Sequence, residues 1–327
     1  MKKTFLNLKT AAAASALMMA LVSSNSLAQQ QIDRPVKVVV GYSPGGTSDI
    51  LARIIAESLR KELGQSVIVE NRPGASGTIA SLNVKSAKPD GTTLMIQPLA
   101  PMVLAPQIYK DQKIDTKADF TPIAQLAVNQ LVVATDVTRG ARSIAELSDA
   151  TNKIASGGIY AIPGVGGLAH MIGAQMSYSG KVKWEAVPYK AALSYLPELG
   201  GGEVAAAVDM MPELLPLHQG GKIRIIAVSG SQRSPALPDV PTLREQGLPS
   251  AEAANWYGVF GPADMPVEPV EYLNKKLVAA VNDPATSKKL MDQGFEPKPS
   301  SAAELKETLS ADYDRWAPVI KQLDIRH

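Results

Sequence analysis

The amino-acid sequence predicts an α/β fold of two lobes, each a mostly parallel sheet flanked by helices. Short β-branched runs alternate with helical segments from Val36 to Phe260, the pattern of parallel strands joined by covering helices. The 327 residues exceed one small domain and suit two lobes of ordinary size. Hydrophobic residues at 45% and charged residues at 20% describe a globular chain, not a disordered one.

Met1 to Thr10 carry Lys2, Lys3 and Lys9 and no acid, Ala11 to Val22 form an apolar run, and small residues stand at Ser26 and Ala28. That order predicts a secretory signal peptide over residues 1–28 and hence a periplasmic protein. A membrane anchor is the alternative, but a spanning helix needs about 20 apolar residues and this run is shorter. Losing three lysines leaves 30 basic against 31 acidic residues, a formal charge of −1 in place of +2. Such a balance gives no support for nucleic acid as a partner. The absence of cysteine excludes disulfides, thiolate metal sites, a cysteine nucleophile and a lipoprotein anchor.

Val36 to Val40 read as a buried strand, and Gly41 to Gly46 as a turn. A helix follows from Thr47, with Leu51, Ile54, Ile55 and Leu59 on one face. Asp49 in its first turn and Arg60-Lys61 in its last suit the helix dipole, and Gly64 stops it. Strands are expected at Ser66–Glu70, Thr92–Ile96, Ile123–Ala127, Leu131–Ala134, Lys153–Ser156, Lys183–Val187, Val204–Val208, Ile223–Val228 and Trp256–Phe260. Helices are expected at Thr78–Lys88, Ser143–Ala150, Leu168–Ser177, Ala191–Leu199 and Pro212–Gln219. From Val267 onward the chain reads as helical, and the proline-rich stretch Ser229–Pro249 as an irregular connection. The chain is expected to cross between lobes near Ala127–Leu131 and return near Asn255. That places one lobe over residues 29–128 and 255–327, and the other over 129–254.

The sharpest motif is Tyr42-Ser43-Pro44-Gly45-Gly46-Thr47-Ser48-Asp49, between a strand and a helix. Glycine lets the backbone approach a ligand closely, and the first helical amides have no intrahelical acceptor. With the dipole they make a site for an anion such as a carboxylate; a plain turn capped by Thr47 or Ser48 is the alternative. A second loop, Glu70–Thr78, has the same setting, and both leave the carboxyl ends of strands, where open α/β folds bind ligands. Ser76 and Thr78 offer hydroxyls there and Ala75 an amide. A third glycine-rich loop, Ser156–Gly167, belongs to the other lobe and precedes His170. A flexible surface loop remains open for it, and a lone histidine is not a catalyst by itself. His170, His218 and His327 are too scattered for a metal motif. No nucleophile elbow, phosphate-binding loop or dinucleotide pattern is present. No catalytic residue, metal or cofactor is expected, so an enzyme on this scaffold is the minor reading.

The first two loops, together with Ala52-Arg53, Asp90-Gly91, Phe120–Ala124, Val187–Lys190, Arg233–Thr242, Trp256-Tyr257-Gly258 and Pro262-Ala263, occur in an order that resembles the solute receptors of tripartite tricarboxylate transporters, the Bug-type periplasmic binding proteins. The resemblance spans nearly the whole chain after the signal. It implies a type II periplasmic-binding-protein fold that closes on its ligand like a flytrap. It also implies that Tyr42, Ser43, Gly46, Thr47 and Asp49, with Ala75, Ser76 and Thr78, hold a carboxylate mainly through backbone amides and bridging waters. Ser156, Gly158, His170, Tyr189 and Asp209 would contribute from the other lobe. The implied function is capture of a small organic carboxylate, a dicarboxylate or aromatic acid, for delivery to membrane permease subunits. The alternative is presentation of the acid to a sensor kinase. A monomer is expected.

This chain departs from the family pattern at four places. The Ile159–Val165 loop reads as longer and more apolar, and Ala174 stands where a Glu is usual. Ala191-Ala192 replaces Gly-Gly, and Gln97-Pro98-Leu99 lies where small hydroxyl residues are common. These changes lead to the expectation of a ligand with an apolar or aromatic body rather than a tricarboxylate.

Overall fold

A computed structural model describes residues 32–109, 111, 113–152, 158–189 and 192–323. The signal peptide expected over residues 1–28, the strand expected at Lys153–Ser156, Ser156 itself and Ala191 lie outside these residues.

Strand β1 (Val36–Val40) is valine-rich because it is flanked on both sides, by β2 (Val67–Asn71) and β3 (Thr93–Pro98), in parallel register. Helix α1 (Thr47–Leu63) returns the chain between β1 and β2, burying Leu51, Ile55 and Leu59. Each such side chain contributes about 1.5–3 kcal/mol on burial. Gly64 ends α1 in the left-handed conformation, φ 66°, its N–H donating to the Arg60 carbonyl at 3.0 Å. Helix α2 (Thr78–Lys85) leads into β3 and stops three residues short of the expected Lys88. Two short helices, α3 (Ala105–Ile108) and α4 (Thr116–Asp119), precede the longest strand.

That strand, β4 (Phe120–Asp136), is one 17-residue element where two were expected. No glycine or proline falls within Val128–Gln130, so nothing in the backbone breaks it. Phe120 to Gln130 pair with β9 (Ala254–Pro262), antiparallel. Leu131 onward pairs instead with β7 (Ala206–Met210) and β8 (Ile223–Val228), also antiparallel. One strand thus belongs to two sheets. The order is β2-β1-β3-β9-β4-β7-β5-β6, with β8 and the two-residue β10 (Glu296–Pro297) both on β4. In the second sheet β5 (Gly158–Ile162) pairs in parallel with β6 (Trp184–Pro188) and β7. The parallel pairing read from the alternation therefore holds in the outer strands, while the strands that join the sheets run antiparallel.

The second sheet carries α5 (Ile144–Thr151), α6 (Leu168–Tyr178), α7 (Ala192–Gly201) and α8 (Met211–Gln219). After β9 come α9 (Val267–Asn282), α10 (Pro284–Asp292) and α11 (Ala302–Leu323), with β10 between the last two. At the change of sheet, Ser229 ties three segments together. Its N–H donates to Leu131 O (2.9 Å), its hydroxyl to Ala253 O (2.6 Å), and its Oγ accepts from Leu131 N (2.9 Å). One apolar cluster packs α1 and α9 on the first sheet; another, with Tyr195, Leu199 and Leu214, packs α7 and α8 on the second. No helix among the described residues is long and apolar enough to cross a membrane.

Candidate carboxylate site between the sheets

The turn Gly41–Gly46 follows β1 directly. Gly45 has φ +82°, which favours glycine, and Gly46 N donates to Ser43 O at 3.3 Å. No side chain caps α1 after Gly46, nor α2 after Gly77. Elsewhere Ser143 and Asp283 cap α5 and α10 with their own side chains. The first turn of α1 therefore keeps amides for another acceptor, while α2, which continues from the 3-10 turn Ala75–Gly77, starts without a capping side chain.

Asp49 does not project toward that opening. It is buried and accepts from Gly45 N (2.9 Å), Arg53 Nε (2.9 Å) and Asn71 Nδ2 (2.9 Å). Burial alone raises its pKa, but the hydrogen bonds from Arg53, Gly45 and Asn71 outweigh it and hold the carboxyl below the usual range. Asn71 also donates to Tyr42 O at 3.0 Å. Asp49 and Asn71 together lock the first turn onto the end of β2, a clamp that the sequence alone places in the ligand's path.

The second turn meets the first at two glycines. A Cβ on Gly41 would lie 2.7 Å from Gly77 Cα. Gly77 has φ +90°, and Ser76 takes φ 52°, an uncommon conformation for a side-chain-bearing residue. Ser76 is exposed and Thr78 buried. Behind both turns sits Gln97, fully buried, donating to Gly77 O (3.0 Å) and Ser81 Oγ (3.3 Å).

The second sheet repeats the first turn. Gly166 has φ +75° as Gly45 has +82°. Gly167 starts α6 at φ −80°, ψ 171°, against φ −78°, ψ 168° for Gly46, and neither helix has a side-chain cap. His170 occupies the place of Asp49: its Nδ1 accepts from Gly166 N at 3.2 Å. That bond puts the ring proton on Nε2, and burial lowers the histidine pKa, favouring the neutral ring. Within the expected loop Ser156–Gly167, Gly158–Ile162 is strand, and the turn proper is Pro163–Gly167. Tyr160, Ala161 and Ile162 are core residues of β5. The apolar character read into Ile159–Val165 therefore belongs mostly to the core, and gives little support to an apolar ligand body. Gly158 sits beneath the Trp184 ring at the start of β5, four residues and about 13 Å of strand from the turn.

Tyr189 donates to Glu198 and stacks edge-on against Tyr195 at 5.7 Å. Asp209, fully buried at the end of β7, accepts from Tyr195 OH (3.0 Å) and Met210 N (2.7 Å). Sequence reasoning missed Glu213, on the first turn of α8, which accepts from Thr47 Oγ1 at 2.9 Å and so joins the two sheets. It reads in sequence as an ordinary first-turn acid. Tyr109 OH, which donates to Val165 O at 3.2 Å, is a second such join without a sequence signal. Among the described residues no group of three or more His, Cys, Asp or Glu is placed to hold a metal ion.

Burial first, and the Glu213 carboxylate second, push Asp209 from the ordinary 3.8 up to about 8. A raised acid contributes stability below its unfolded pKa, and that contribution is lost as pH rises through the folded one. The thermal midpoint is therefore expected to fall as pH rises from about 4 to about 8, and less so in Asp209→Asn. A difference of about 1 kcal/mol would show as about 2–4 °C. Parallel pH profiles in melting experiments on both proteins would contradict this account.

A family profile described as tripartite tricarboxylate transporter family receptor matches residues 51–325. A UPF0065 protein of Bordetella bronchiseptica is 32% identical over 282 residues, 86% of this chain and 83% of that protein. The solved periplasmic binding protein BugD is 29% identical with a TM-score of 0.80, over 90% of this chain and 99% of its own. An R. palustris protein solved with adipate is 31% identical with a TM-score of 0.82, over 89% of this chain and 97% of its own. The joined sheets described above are accordingly the two-lobed fold of periplasmic binding proteins. The chain belongs to the tripartite tricarboxylate transporter receptor family, the Bug-type solute-binding proteins.

Proposed function

We propose that this chain is exported to the periplasm and there captures a small organic carboxylate, a dicarboxylate or aromatic acid, between its lobes for delivery to a membrane permease. The observation that carries the reading is the packing of Gly41, in the turn that leads to α1, against Gly77, which starts α2, with no side-chain cap on either helix. Backbone amides converging there favour an anion without any cationic side chain. In this reading Tyr42, Ser43, Gly46, Thr47, Ala75, Ser76 and Thr78 surround one carboxylate, with Asp49 bracing the turn. The lobes are residues 29–128 with 255–327, and 129–254, and they hinge where β4 and the segment before β9 cross. His170 Nε2–H then offers a neutral donor from the second lobe, with Tyr189 and Asp209 behind it. The chain is non-catalytic: binding energy comes from closure, which hides the anion from water. The relative solved with adipate supports a carboxylate ligand.

Mass spectrometry of the small molecule released by denaturing the purified protein tests this. A small carboxylic acid, returned unchanged after prolonged incubation, is expected. A released ligand without an acid group would overturn the reading, and a chemically altered one would overturn its non-catalytic part.

A further inference from the structure

The two sheets share an apolar core on one face and not on the other. Side chains alternate along a strand, so Val39 of β1 joins one core while Val38 and Val40 join another. On the Val39 side one continuous core holds Met95 of the first sheet, Ile162 and Val208 of the second, and Trp316 of α11. On the opposite side the cores are separate, with α1 and α9 over the first sheet and α7 and α8 over the second. A close-packed core shared by two bodies resists their parting, whereas bodies with separate cores can move apart.

Side-chain hydrogen bonds cross between the sheets on both sides. On the shared-core side Tyr109 OH donates to Val165 O at 3.2 Å, and both residues pack against that core. Thr47 and Glu213 make the other crossing, from the first turn of α1 to the first turn of α8, at 2.9 Å. The apolar faces of these helices lie in different cores, Leu51 and Ile55 in one, Leu214 and Leu215 in the other. Their bond is therefore held by two side chains, not by packing of helix on helix. The approach of Gly294 to Pro212 adds van der Waals contact nearby. Between the two sides run the crossing strands, where Asn129 of β4 and Asn255 of β9 are register partners and Asn255 Nδ2 donates to Asn129 Oδ1 at 3.0 Å.

We propose that Thr47 and Glu213 form a clasp: the lobes pivot about the shared core, part on the α1–α8 side, and are held closed there by the Glu213 carboxylate. Glu213 is in this sense a positioning residue. By holding Thr47 it also fixes the start of the helix whose first amides are open, so closure and the shape of the first turn are coupled. The inference rests on the two-lobed hinge of the reading above and not on the chemistry of the ligand.

The chain has no cysteine, so pairs of introduced cysteines can carry spin labels whose separation is read by pulsed electron paramagnetic resonance. Arg60→Cys on α1 with Gln219→Cys on α8 reports the clasp side. Leu82→Cys on α2 with Ala150→Cys on α5 reports the shared-core side; all four positions are exposed. The protein is first dialysed from denaturant to remove bound small molecules. Glu213→Ala should then raise the ratio of long to short α1–α8 distances about tenfold or more, as loss of a hydrogen bond to a charged acceptor implies. The α2–α5 distances should stay in place. Glu213→Gln, which keeps an acceptor oxygen, should keep the short α1–α8 distances. Thr47→Val removes the donor instead, should act as Glu213→Ala does, and serves where that variant fails to fold. Unchanged α1–α8 distances in both variants, or equal lengthening of the two label pairs, would overturn the clasp. Either result leaves the carboxylate reading to its own test, the identity of the released molecule.

Discussion

Replacing Gly46 with valine is expected to weaken carboxylate binding by about 100-fold or more, equivalent to about 2.7 kcal/mol, while the protein stays folded. Gly46 has φ −78° and ψ 168°, extended backbone that a β-branched residue adopts readily. An added Cβ meets nothing closer than Ser43 O, at 3.4 Å. The turn itself therefore tolerates the change. Binding does not, because the branched side chain would stand in front of the first helical amides. Calorimetry with the acid that the unaltered protein binds gives the affinity, and thermal melting confirms the fold. Gly46→Ala should fall between the two. Full affinity in the valine variant would remove the anion from this turn.

Gly41→Ala is expected to damage both stability and binding. Here the added Cβ would lie 2.7 Å from Gly77 Cα and 2.9 Å from Gln97 Nε2. Gln97 can swing, but Gly77 Cα is backbone, held at φ +90° with its N–H on Gly74 O at 3.0 Å. The two turns must move apart. Overpacking of this kind costs about 1–3 kcal/mol, a loss of several degrees in melting temperature. Because the amides of both turns would no longer converge, affinity should drop even at temperatures where the variant is folded. An alanine variant with the unaltered protein's melting point and affinity would show that the turns do not depend on this contact.

These two glycines also mark how far the sequence can be read. Strands and helices with a clear period are legible in place: Val36–Val40, the Leu51–Leu59 face of α1, Leu168–Tyr178 and Ile223–Val228. Their signals are local, a matter of which side chains face the core every two or every 3.6 residues. The turns at Gly45 and Gly77 are legible for the same reason, since left-handed backbone calls for glycine. Ile159–Ile162 reads as loop in the sequence because the glycines on either side outweigh a short apolar run. The run is a strand because β6 and β7 pair with it from both sides. Likewise β4 is not visible as one strand, because what makes it continuous is its exchange of partners from β9 to β7 and β8.

The sequence by itself determined the α/β class, the order of the main helices and of the strands outside β4, β5 and β10, the glycine turns after β1 and β2, and the family pattern that those motifs carry. All of these depend on neighbours within a few residues. Only the tertiary structure decided which partners each candidate site residue has. It turned Asp49 inward as a clamp, set Gly158 under Trp184, placed His170 as the counterpart of Asp49, and brought Glu213 to Thr47 across 166 positions of sequence. A carboxylate's role depends on which donors surround it, and in this fold those donors come from segments that the chain joins only after two sheets have formed.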